Sequence, residues 1–287
     1  MTIGFIHVDV FSATPYSGNS LAVFPDARGL SSEQMLRITQ ELRHFEAIFL
    51  EQTEHPQTVR ARVFDLFGEL PFAGHPIIGA AATLCDSANK TVRQTWQVIL
   101  SSKTVSVTTE RTDCGYYGLL DQGAPEFLGS VSDRDAIAQA FNLELSDLRA
   151  DLPIEVVSTG LRYLVVPVQT GVLERARIVA DITELLLDLG AQFGVLLDET
   201  ALEVRHWNND GIMEDVATGS AAGVIGAYRL KHGLANPGEV FMLHQGRFTG
   251  RPSVLRVQPE GSSRAVTTVK VGGDVAFVGR GTLEVLP

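Results

Sequence analysis

The chain has 287 residues, 45% of them hydrophobic, and a formal charge of −11 at neutral pH. That length suits two domains of roughly 100–200 residues each. The acidic balance excludes a phosphate-backbone partner, which would be held by clustered Lys and Arg.

The start, Met1 to Val10, alternates like a strand and has neither the basic head nor the long apolar stretch of a secretion signal. No uncharged run approaches the ~20 residues that cross a bilayer. The expected location is therefore the cytoplasm, with neither membrane nor nucleic acid as a partner. Cys85 and Cys114 show no metal-ligand spacing and are expected to be buried thiols.

The pattern predicts a strand at 3–11, a turn at Ser17-Gly18-Asn19 with Asn19 in a left-handed position, and a strand at 21–24. Ser31-Ser32-Glu33-Gln34 reads as a capping box, followed by Met35, Ile38 and Leu42 on one helical face. Strands follow at 46–51 and 58–66. Pro76 is expected to open a helix running through Leu84, because a missing N–H costs nothing in a first turn. Strand-rich segments at 95–110 and 116–121 close the half.

Residues 123–150 read as a connector with a helix around 133–142. The order then repeats: strands at 154–158 and 161–168, a helix near 181–189, strands at 193–198 and 202–207, and a helix at 220–231. Strands at 239–244, 253–258, 265–271 and 281–286 end the chain. The fold class expected is α+β in two similar lobes. The first spans 1–120, joined by a last strand at about 276–287, and the second spans 125–275.

One motif occurs twice. Glu69-Leu-Pro-Phe-Ala-Gly74-His75-Pro and Glu214-Asp215-Val-Ala-Thr-Gly219-Ser220-Ala each place a Glu five residues before a Gly, then a polar residue, then a small-residue apolar run. A glycine turn opening a helix presents unpaired N–H groups and about half a positive charge, and lets a ligand approach the backbone. Two such ends facing a shared cleft suit a small carboxylate, with phosphate as the alternative ligand. Neither motif is a P-loop or a dinucleotide fingerprint. Glu46, His75, Asp215 and Ser220 move protons but form no nucleophile arrangement, so the chemistry they suggest is cofactor-free proton transfer at carbon. His7, His206 and His244 sit in strand-like runs without supporting spacing, and no metal site is expected.

Ser17-Gly18-Asn19-Ser20-Leu-Ala-Val-Phe, Glu46, the two glycine motifs, Gly250-Arg-Pro-Ser and Gly279-Arg-Gly closely resemble, in that order, the phenazine-biosynthesis isomerase (PhzF-like) family. The resemblance implies a two-lobed diaminopimelate epimerase-like fold, each lobe a sheet wrapped around a central helix with the active site between lobes. It also implies isomerisation of dihydro-hydroxyanthranilate-like acids without metal or cofactor, in a homodimer. Under it Glu46 is the general acid/base, and His75 and Asp215 join it as catalytic residues. Gly74, Gly219 and Ser220 bind substrate.

The wider superfamily includes epimerases with a cysteine before each paired glycine. Here those positions are Ala73 and Thr218, which excludes a two-thiol racemisation. The position matching Glu46 in the second half falls near Gln192, so one lobe alone supplies this base. Phe45 stands where members carry a small hydroxyl residue, which leaves the substrate open. The alternatives are an amino-acid epimerase or racemase of the same fold, and a non-catalytic organic-acid binding protein.

Overall fold

The computed structural model describes residues 2–88 and 93–287. The chain divides into two compact units, one made of 1–121 with 271–287 and the other of 122–270.

The first unit carries β1 (Ile3–Val10), β2 (Asn19–Phe24), α1 (Ser32–Leu42), β3 (Glu46–Gln52), β4 (Thr58–Asp65), β5 (Glu69–Leu70), α2 (Gly74–Ser87), β6 (Gln94–Ile99), β7 (Thr104–Thr112) and β8 (Gly115–Asp121). Strand order is β1-β2-β3-β4-β6-β7-β8. Residues 275–283 of the final strand pair with β1, and that strand also pairs with β8, so the sheet closes on itself.

Helix α2 packs against β1, β2, β7 and β8 and is buried from Gly74 to Cys85. Its small residues permit this. A Cβ on Gly79 would lie 2.5 Å from Leu21 Cδ2. Helix α1 starts with the expected capping box, in which Ser31 accepts from Gln34 N and the Gln34 side chain reaches back to Ser31 N. Its Met35 and Ile38 join Ala22, Phe24, Ala47, Phe49 and Phe64 in an apolar layer.

The second unit carries β9 (Glu126–Val131), α3 (Arg134–Ala140), β10 (Ile154–Ser158), β11 (Arg162–Val168), α4 (Thr183–Asp188), β12 (Phe193–Asp198), β13 (Glu203–His206), α5 (Gly219–Lys231), β14 (Phe241–Gln245), β15 (Ser253–Ser262) and the start of β16 (Ala265–Leu283). Its strand order is β9-β10-β11-β12-β13-β14-β15-β16. Helix α5 packs against β10, β11 and β15 and is buried from Gly219 to Leu230.

The halves repeat in pairing as well as in order. β2 with β3 and β4 with β6 are parallel, as are β11 with β12 and β13 with β14. Each parallel pair is flanked by antiparallel ones. The fold is thus the expected sheet-rich α+β arrangement of two lobes, each with one central buried helix.

Several local expectations are corrected. The segment read as a connector holds β9, which pairs with β10 through 126–131. The separate strands expected at 265–271 and 281–286 are one strand, because the intervening glycines do not break its ladder. The left-handed residues of the first turn are Tyr16 and Gly18, at φ 68° and 72°, and Asn19 begins β2. Helix α2 begins at Gly74, so Pro76 is its third residue, where an N–H also lacks an intrahelical acceptor. Cys85 is buried but Cys114 is exposed in the turn between β7 and β8. No helix among the described residues is long and apolar enough to cross a membrane.

Candidate active site

Glu46 is the first residue of β3, paired in parallel register with Leu21 of β2 and in antiparallel register with Asp65 of β4. Residues paired across a sheet share a face. Leu21 packs on Gly79 of α2, so Glu46 faces the same helix.

There it meets His75. The Glu46 Oε2 to His75 Nδ1 separation is 3.3 Å, and both residues are buried, at 8% and 3% exposure. Asn19, at the start of β2, places its amide nitrogen 3.4 Å from the same Nδ1. At 3.3 Å the Glu46 and His75 side chains form an ion pair when the imidazole is protonated.

Gly74 and His75 are the first two residues of α2, and the N-cap Ala73 supplies no side-chain cap. The N-cap side chain therefore takes none of the first-turn amides.

In the second unit Asp215 is buried at 3% exposure and its Oδ2 accepts from Thr218 Oγ1 at 2.6 Å. Gln245 of β14 spans this turn: its Nε2 donates to Asp215 O and Thr218 Oγ1, both at 2.9 Å, and its Oε1 accepts from Thr218 N at 2.9 Å. The N-cap of α5 is Thr218, so Ser220 lies inside the first turn rather than capping it. Its hydroxyl is 2.8 Å from the Tyr163 hydroxyl. Gln122 Nε2 donates to Gly219 O at 2.8 Å while its Oε1 accepts from Thr159 Oγ1 at 2.7 Å.

His206 donates through Nδ1 to Gly194 O at 2.9 Å. Burial holds its imidazole below the usual histidine range, against the pull of the Asp215 and Glu214 carboxylates. Its ring also lies against Tyr163 and Phe193, and His7 is bonded to Ser20. Among the described residues no three His, Cys, Asp or Glu side chains gather to hold a metal ion.

The expected residues thus fall into two built clusters, Glu46 with His75 and Gly74 in one unit, and Asp215 with Gly219 and Ser220 in the other. Asn19, expected in the turn, stands instead at the start of the strand that pairs with β3 at Glu46. Tyr163, Gln122 and Gln245 carry no local signal. Phe45 is half-buried immediately before β3, and Gln192 immediately before β12 has its side chain on Arg162 N.

The fold and sequence are similar to those of known proteins. A Pseudomonas aeruginosa structure described as a "Predicted Epimerase" aligns at a TM-score of 0.94 and 46% identity, covering 99% of both chains. The trans-2,3-dihydro-3-hydroxyanthranilate isomerase of Pseudomonas aeruginosa is 30% identical over 96% of this chain and 98% of its own. A protein of Escherichia coli O157:H7 named "Uncharacterized isomerase YddE" is 33% identical over 88% of each chain. The model of the phenazine biosynthesis-like (PhzC-PhzF) family matches residues 8–281, and the chain belongs to that family.

Proposed function

We propose that this isomerase moves a proton between carbon atoms of a small carboxylic acid, of the dihydro-hydroxyanthranilate class, with Glu46 as the group that takes and returns it. The observation that carries the reading is the buried Glu46–His75 pair, 3.3 Å apart at the start of helix α2. In the forward step the Glu46 carboxylate removes a proton from a ring carbon, and the electron pair of that C–H bond spreads into the unsaturated acid. The protonated Glu46 then returns the proton to a different carbon, leaving atoms and charge unchanged overall. His75 partners the carboxyl through the cycle. Asp215 serves as a second proton-transfer group, while Gly74, Gly219 and Ser220 hold the substrate through helix-start amides and a hydroxyl. Those amides stabilise the negative charge that develops on the delocalised acid, which is the larger energetic demand of the step. No cofactor is required by this chemistry.

The test is conversion of dihydro-hydroxyanthranilate-type acids in deuterated water. Wild type incorporates solvent deuterium, and Glu46→Gln, which keeps shape but loses the base, lowers incorporation by about 10²–10⁴-fold with ligand affinity nearly intact. Unchanged incorporation would remove Glu46 from the mechanism.

The likeness to a structure described as an epimerase favours a second reading, inversion at a single carbon. It demands a base on each face of the substrate, and the positions before the glycines, Ala73 and Thr218, are not thiols. Racemisation of a pure enantiomer without change of constitution would establish it in place of the first.

A further inference from the structure

The repeated motifs share a glutamate that the proposed chemistry does not use. Its role emerges from its partner in each unit. In the first, Phe64 of β4 pairs with Glu69 of β5, and Arg62, two residues before Phe64, donates its Nε to Glu69 Oε1 at 3.0 Å and its Nη2 to Oε2. In the second, Trp207 pairs with Glu214, and Arg205, two residues before Trp207, donates Nε to Glu214 Oε1 at 2.9 Å and Nη2 to Oε2 at 2.6 Å. In both, the guanidinium lies over the aromatic ring two positions later, at 5.2 Å for Arg62 over Phe64 and 4.4 Å for Arg205 over Trp207. The same Arg-x-aromatic strand therefore grips the same glutamate five residues before each helix-opening glycine.

The two copies differ in what surrounds them. Arg62 and Glu69 are about one-third exposed, at 30% and 31%, whereas Arg205 and Glu214 are at 9% and 12%. Arg205 also donates Nη1 to Leu173 O and to Ala176 O at 3.0 Å, and Phe248 covers its guanidinium at 4.2 Å. A bidentate fork fixes direction as well as distance, and in the dry site it is screened little by water.

We infer that the Arg205–Glu214 fork is a positioning clamp for Asp215, the next residue in the chain. Thr218 Oγ1 and Gln245 hold the aspartate from the side of the helix, and the fork braces it from the side of the hairpin. Asp215 N donates to His206 O at 2.9 Å, closing the hairpin that the fork braces, and Gln245 holds the following turn. Release of the fork frees the entry to the Asp215 turn while its exit stays tied. The exposed Arg62–Glu69 pair is a weaker copy of the device.

The kinetic part of the inference rests on the proton-transfer role proposed for Asp215, so its test carries a second readout independent of turnover. Three variants are compared with wild type: Arg205→Lys, which keeps the charge but cannot form the fork; Arg205→Met with Glu214→Leu, which removes both charges together; and Glu69→Gln. Amide hydrogen exchange over 213–220 is read by mass spectrometry, with solvent-deuterium incorporation and urea unfolding in parallel.

The clamp predicts that both Arg205 variants exchange these amides at least about tenfold faster than wild type, while amides of the helix α5 interior are unchanged. It also predicts kcat lower by about 10–100-fold with KM within about threefold, whereas Glu69→Gln stays within about threefold in both. Wild-type protection at 213–220 in Arg205→Lys, or equal losses from Glu69→Gln, would overturn it. If the double variant does not unfold cooperatively, Arg205→Lys decides alone. If wild type converts no acid, the functional reading has failed and the amide exchange still judges the clamp.

Discussion

His75 Nδ1 is approached by two groups with opposite demands, the Glu46 carboxyl and the Asn19 amide. The Asn19 amide is within hydrogen-bond reach of that nitrogen, so the tautomer of His75 sets what Asn19 does there. Asn19 is then an orienting group for His75 and, through it, for Glu46. Replacing Asn19 by Ala should lower kcat about tenfold while KM changes little, because the ring loses a guide rather than the substrate losing a contact. Steady-state kinetics of Asn19→Ala checks this; a rise in KM at constant kcat would instead make Asn19 a substrate-binding residue.

Each central helix depends on glycines where side chains of neighbouring elements press in. In α5 a Cβ on Gly223 would stand 1.9 Å from Gln122 Oε1, the oxygen that accepts from Thr159 while the same amide donates to Gly219 O. Propensity alone predicts that Gly→Ala inside a helix stabilises by about 1 kcal/mol. Here the added methyl must expel the Gln122 amide and break its bridge to the helix start, a loss of about 1–3 kcal/mol. Gly223→Ala should therefore destabilise the protein in urea unfolding, and a stabilised variant would show that the bridge contributes little. The same helix start carries Gly219 and Ser220, so, if these hold the substrate as proposed, the variant should also raise KM.

At the scale of the molecule, stability and pH are linked through groups buried in one protonation state. His206 is held neutral by burial, below its ordinary value of 6.5. The unfolded chain takes up its proton first as pH falls, so the unfolded state is favoured progressively below about pH 6.5 and the full contribution is present only above it. Urea unfolding at pH 7.5 and 5.5 should show wild type losing stability on acidification and His206→Gln, which still donates to Gly194 O, losing less. Equal losses would place the acid sensitivity in other groups. The formal charge of −11 adds self-repulsion at the upper end of the range, opposing stability there without altering the sign of the histidine effect.

Local signals carried the reading where a few neighbouring residues decide the outcome. The Ser31 capping box, the glycine turns that open α2 and α5, and the alternation of β1 are set by short-range sterics and hydrogen bonds, and each formed close to where the sequence placed it. The repeated glutamate-to-glycine spacing likewise exposed a duplicated chain. What the sequence alone could not decide were contacts between distant residues. Asn19 meets His75 across 56 positions, and Ser220 meets Tyr163 across 57. Such meetings depend on strand register, where a slip of one residue turns Glu46 from the helix-facing side of β3 to the other. The arginines that grip Glu69 and Glu214 show the same division. Their spacing stands in the sequence, but only the antiparallel return of the chain brings each beside its carboxylate, because side-chain pairing across a hairpin is fixed by loop length and register rather than by composition.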